Sequence, residues 1–338
     1  MLSVKFDFIE LYWAFIGNPI SKIVGYLSDL TSLSITEVLL NYSLICCIYI
    51  LYVIVFKKQK KYLKTALVGV LLLIIMTFSQ GITKIDFVPT VFRSHPLQRL
   101  ENIKINESDC IKFVAISCNA FLKDFNSKHY MSLPQEYELE SANKIVNDAL
   151  AFMKYPIGRE VKKIKNMMGL TRLLGLSYGG PAFHDVVSGE VVIASIEDLP
   201  SSKYWRRMCL IHEIVHAQGF TRELDAEILT WLALRLSDFE LDRQFSMLMV
   251  ISKSRTKIEW PEVLQTEAKL NKEKQIEVDR NSPFLTFLKK ASKEMSIQNN
   301  SEKYGTIHKG SFFSKSEFLL CTTKIEHLLE KKAALKNL

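Results

Sequence analysis

Two stretches of this chain, Val38 to Phe56 and Thr65 to Ile82, contain no charged residue. Each is about as long as the roughly 20 residues that a helix needs to cross a hydrocarbon core of about 30 Å. A core helix of a globular domain is the other home for an apolar run, but two adjacent uncharged runs of this length are expected as transmembrane helices. Ser34-Ile35-Thr36-Glu37 precedes the first run and has the capping-box pattern of a helix start. The loop between the runs, residues 57–64, carries five lysines: Lys57, Lys58, Lys60, Lys61 and Lys64. The positive-inside rule places such a loop in the cytoplasm. Everything after Ile82 is then expected on the opposite, extracytoplasmic side. Taking the five loop lysines from the net charge of +8 leaves +3, so the basic pI of about 9.0 follows from topology and argues no nucleic-acid partner.

This hairpin organises the 338 residues, of which 48% are hydrophobic, into an anchor and one sizeable domain. Within residues 1–34, Phe6 to Leu27 is hydrophobic but interrupted by Asp7, Glu10, Asn18-Pro19 and Lys22. Ile20, Ile23, Val24 and Leu27 form a stripe that suits an amphipathic helix lying in the membrane interface. Residues 35–83 are the hairpin and its lipid partner is the bilayer. Residues 84–98, with Pro89 and Pro96, read as a linker, and residues 99–338 as the extracytoplasmic domain. No cleavable signal peptide is expected at the start.

Within that domain the decisive stretch is Ile211-His212-Glu213-Ile214-Val215-His216-Ala217-Gln218-Gly219-Phe220. On a helix, positions i and i+4 share a face, so His212 and His216 can aim ring nitrogens at one ion. Glu213 sits beside the first of them as the general base for a water activated by Zn2+. Pro200, Ser201 and Ser202 before the segment and Gly219 after it supply a start and a left-handed stop for the helix. Met208, Leu210, Ile211, Ile214 and Val215 give it a buried wall. The plainer alternative is a pair of helix histidines with no ion.

A third ligand is expected from Thr221-Arg222-Glu223-Leu224-Asp225-Ala226-Glu227. Glu223 is the first choice, at the start of a second apolar helix (Leu224, Ile228, Leu229, Leu232, Leu236) that folds back on the first. Glu227, one turn later on the same face, is either the alternative ligand or a carboxylate that orients a histidine. Asp225 points elsewhere and suits a helix N-terminus.

The string His-Glu-x-x-His-x-x-Gly-Phe-x-Arg-Glu-x-Asp-Ala resembles an uncharacterised bacterial membrane family, domain of unknown function 3810. Leu174-Gly175-Leu176-Ser177-Tyr178-Gly179-Gly180-Pro181 and Ser188-Gly189-Glu190-Val191-Val192 resemble that family's glycine-rich segment and its Thr-Gly-Glu-Ala stretch, and the two hydrophobic runs fit as well. The resemblance covers roughly residues 10 to 240. It implies a zincin-like metallopeptidase domain with a glutamate as third ligand, Glu223 here, in a multi-pass protein of the bacterial cytoplasmic membrane. This chain has Glu227 where the family usually has Asn, which leaves two glutamates one turn apart.

The fold class expected is α+β, mainly helical: a zincin-like domain following the hairpin. Glu140 to Tyr155 reads as a helix. Glu190 to Ser195 reads as a strand, either an ordinary core strand or one to which an extended substrate adds. His184 and Tyr178 in the glycine-rich region have the chemistry to stabilise an oxyanion. Residues 255–300 read as solvated helices and connections, with Tyr304 and His308 beyond them. Of the six cysteines, Cys46 and Cys47 lie in the first run, Cys209 reads as a packed thiol, and Cys110, Cys118 and Cys321 are open to pairing. Two functions are carried forward: a zinc-dependent hydrolase acting on a peptide or protein, and a non-catalytic envelope protein whose metal site only braces the fold.

Overall fold

The structure is a computed structural model. It describes residues 35–56, 64–71 apart from Thr65, Leu100, 103–125, 139–166 apart from 156, 158 and 159, 182–185, 190–193, 203–220, 223–254, part of 256–273, and 309–336. These residues are mainly helical with few strands. They belong to two compact units. One comprises Arg93–Ile157, Pro200–Val215 and Glu223–Leu338; the other comprises Met1–Phe92, Gly158–Leu199 and His216–Arg222.

In the smaller unit, helix α1 (Ile35–Phe56) begins one residue after Ser34, where the capping-box pattern expects it. Residues 66–71 are also helical. The two stretches meet through small side chains. A Cβ built on Gly69 would meet the Cβ of Cys46 at 2.7 Å, so only glycine permits this approach. Ser43, Cys46, Val53 and Ala66 are buried, whereas Val38, Ile45, Ile48, Leu67, Val68 and Leu71 are exposed. Among the described residues no helix is long and apolar enough to cross a membrane. Residues 72–82 of the second uncharged run lie outside them, as do the amphipathic segment 1–34 and the linker 84–98.

The same unit holds a three-stranded sheet of β1 (Ile164–Asn166), β2 (Ala182–Asp185) and β3 (Glu190–Ile193) in the order β1-β3-β2. β1 pairs with β3 in parallel, Ile164 opposite Val191, and β2 pairs with β3 antiparallel, His184 opposite Val191. β3 is therefore the interior strand. Both of its edges are used, and strand addition to it by a substrate, one of the two expectations for Glu190 to Ser195, is corrected to the core-strand reading.

The larger unit is a helical core. It contains α2 (Glu107–Asp124), α3 (Leu139–Phe152), α5 (Glu223–Leu236), α6 (Glu240–Lys253) and α7 (Lys309–Lys336), together with all of helix α4 (Lys203–Ala217) up to Val215. Asn106 caps α2 in a reciprocal box with Asp109. α3 covers the expected helix 140–155 to within a few residues.

α5 is the centre of this unit. It packs on α3, α6 and α7, and Leu224 to Ala226 and Ile228 to Leu234 are all buried. Such a helix is apolar nearly all round because it has neighbours nearly all round. Trp231 meets the ring of Phe113 edge-on at 6.0 Å. Arg235 makes two hydrogen bonds to Glu326 of α7, at 3.0 and 2.7 Å, and α7 contributes the fully buried Phe318, Cys321 and Ile325. This C-terminal helix was not anticipated as core.

All six cysteines are free thiols. Cys110 and Cys118 both lie on α2. Eight residues at about 1.5 Å rise put them roughly 12 Å apart, too far for a disulfide within an intact helix.

Candidate metal centre

The site is local, built from one run of chain: the last two turns of α4, a tight turn, and the first residue of α5. Gly219 makes the turn. Its φ is 94°, a left-handed conformation that costs an L-residue energy, and its N–H donates to the carbonyl of His216 at 2.8 Å. Phe220 follows and is fully buried, which pins the exit of the turn.

That burial has a chemical consequence. The carbonyl oxygen of Phe220 lies 2.5 Å from Nδ1 of His216. A carbonyl only accepts, so Nδ1 carries the proton and Nε2 keeps its lone pair for an ion. On the other side, Nε2 of His212 is 3.1 Å from Oε2 of Glu223. One ligand atom from each of His212, His216 and Glu223 falls within 4.8 Å of the other two. Two donors bound to one tetrahedral zinc at about 2.0–2.1 Å sit roughly 3.3 Å from each other, so the His212–Glu223 separation fits a shared ion. The chemistry of the set, two imidazoles and one carboxylate, is that of hydrolytic zinc sites.

Exposure differs between the two paired side chains. The His212 side chain is 18% exposed and that of Glu223 66%, so solvent reaches the carboxylate side. Glu213 is buried on the same helix, as are Leu210, Ile211, Ile214 and Val215. Burial, and then the charge of Glu213, push the Cys209 thiol well above its usual range. It stays protonated there, as a packed thiol does.

The remaining expected residues are placed differently. Glu227 is not among the three that converge: its carboxylate forms a part-buried ion pair with Lys253 of α6. Asp225 stands in the first turn of α5, as expected of an acid that suits a helix start, and is fully buried there. His184 is on β2. Tyr178, Tyr304 and His308 lie outside the described residues, and so does most of the glycine-rich segment.

One residue that sequence reasoning missed ties helix α4 to its neighbours. Arg207, one turn before Ile211 on α4, is 2% exposed and pairs with Asp242 of α6, which is 5% exposed. Nε donates to Oδ1 at 3.0 Å and Nη2 to Oδ2 at 2.8 Å, a fork against a fork. Nη2 also donates to Ser141 of α3 at 3.0 Å, and Ser237 donates to the same Asp242 carboxylate at 2.8 Å. No local pattern marks Arg207, because its partner lies 35 residues along the chain.

Comparison of the chain with protein-family models, with curated protein sequences and with solved structures yields no match.

Proposed function

We propose that the chain is a membrane-anchored, zinc-dependent hydrolase, a metallopeptidase of zincin-like type acting on a peptide or protein. The observation that carries this reading is the convergence of His212, His216 and Glu223, with a buried glutamate, Glu213, next to the first of them. His212, His216 and Glu223 would hold Zn2+, which when bound supplies Lewis acidity toward a water and a substrate carbonyl. Glu213 accepts the proton of the attacking water on its carboxylate and returns it to the leaving nitrogen. His216 is kept in the ligating tautomer by Phe220, and Arg207 keeps the helix that carries both histidines against α6.

Anchoring is supported by the sequence runs 38–56 and 65–82 taken whole, and by the outward apolar face of α1 and of residues 66–71. Polar solvent disfavours such a face, whereas a bilayer accepts it. The five lysines of the connecting loop favour a cytoplasmic loop and an extracytoplasmic domain in the bacterial cytoplasmic membrane. The resemblance to the membrane family named above agrees with both halves of this reading. The engagement of Glu227 by Lys253 favours the enzyme over the non-catalytic envelope protein, since a bracing zinc site takes four protein ligands and a working one takes three.

The test is a pair of variants assayed on a library of quenched fluorescent peptides. Glu213→Gln is expected to keep zinc and lose turnover by about 10²–10⁴-fold, and His212→Ala to lose both. Undiminished hydrolysis by the Gln variant would overturn the assignment of Glu213.

A further inference from the structure

Glu227 stands one helical turn beyond Glu223 on α5. At that spacing the two side chains share a face, with Cβ atoms about 5–6 Å apart. A dication held at Glu223 would attract a second glutamate on that face, and with Glu227 bound the ion would have four protein ligands, which closes a zinc site against water. The carboxylate is engaged elsewhere. Lys253, in the last turn of α6, holds it in an ion pair, and the same ammonium lies 5.8 Å from the centroid of the Phe318 ring on α7.

We propose that Lys253 is a positioning residue that holds Glu227 off the metal and so keeps the centre at three protein ligands with one position open. The inference rests on the metal-centre reading above and adds to it what sets the coordination number. The arrangement is held from several sides: α6 packs on both α5 and α7, and Phe318 is fully buried. Lys253 thus meets Glu227 on one flank and an aromatic face on the other. Its charge offsets that of the carboxylate, which removes the pull that a nearby cation would exert on it. Without this ammonium the carboxylate is free to turn back along the face it shares with Glu223, where a bound dication would attract it.

The experiment uses the full-length chain in detergent loaded with cobalt(II), whose visible spectrum reports coordination, titrated with azide, an anion that takes an open position. Azide is expected to perturb the wild-type spectrum. In Lys253→Met, Glu227 enters the coordination sphere, azide binding weakens by at least about tenfold and cobalt release to a chelator slows by a similar factor. Lys253→Arg and the double variant Lys253→Met/Glu227→Gln regain the wild-type spectrum and azide response, which a merely structural role for Lys253 would not produce. Glu227→Gln alone leaves the cobalt spectrum unchanged, because Glu227 is not a ligand while Lys253 is present. This last arm stands even if the Met variant fails to fold. A Lys253→Met protein with wild-type spectrum and azide response would overturn the inference alone, as would a shifted spectrum in Glu227→Gln. A wild-type chain that takes up no cobalt would overturn the metal-centre reading, and this inference with it.

Discussion

At the scale of single residues, the geometry turns on Gly219 and Phe220. Gly219 reverses the chain after α4 at φ 94°, and Phe220, once buried, offers its carbonyl to His216. Gly219→Val is expected to cost about 1–2 kcal/mol through the left-handed strain. It should also weaken metal binding, because the turn that sets the distance from His216 to Glu223 must shift; a thermal melt and a zinc titration check the two effects, and a variant as stable as the wild type would contradict the strain argument. The pairing of His212 with His216 was legible because it needs only the pitch of a helix, and Gly219 was legible because few residues stop a helix in that way. The role of Glu227 was not. Its partner Lys253 comes 26 residues later, and no local spacing records which acid a distant lysine will meet.

At the scale of elements, α4 is held by buried apolar side chains, Ile211, Ile214 and Val215 among them, and by a buried ion pair. The buried pair of Arg207 and Asp242 and the hydrogen bond to Ser141 join it to α6 and α3. Removing one partner leaves the other charge buried and alone, so Arg207→Met is expected to destabilise the protein by about 3–5 kcal/mol. Arg207→Met combined with Asp242→Leu should recover much of that loss, because two apolar residues leave no stranded charge. Denaturant melts of the three variants check this, and a double variant no more stable than Arg207→Met would contradict it. The helices α3, α4 and α5 were legible from apolar periodicity and punctuation. β1 was not, since three residues are too few to show a period, and the order of the sheet was not, since β1 reaches β3 by a parallel pairing across the intervening chain. α7 was missed as core because what buries Phe318, Cys321 and Ile325 is tertiary packing, including Arg235 of α5 reaching Glu326.

At the scale of the whole molecule, the proposal is a membrane-anchored chain with a hydrolytic domain outside the cytoplasm. Two uncharged runs are plain in the sequence, but of the second only residues 66–71 are described, and among the described residues no helix is long and apolar enough to cross a membrane; the outward apolar face of α1 is what supports the proposed anchor. Topology can be read by labelling single cysteines, in a chain whose native cysteines are replaced by serine, with a maleimide that does not cross membranes. In intact cells a cysteine at Lys60 should stay unlabelled and one at the exposed Asp238 should react; the opposite pattern would invert the orientation. The proposal that reaches every scale is narrower: that His212, His216 and Glu223, which converge here, hold a zinc ion. The most direct measurement is elemental analysis of the purified full-length chain beside its His212→Ala variant. Near-stoichiometric zinc in the wild type, lost in the variant while its circular dichroism is unchanged, is the result predicted; a folded wild-type chain that binds no zinc would contradict the account.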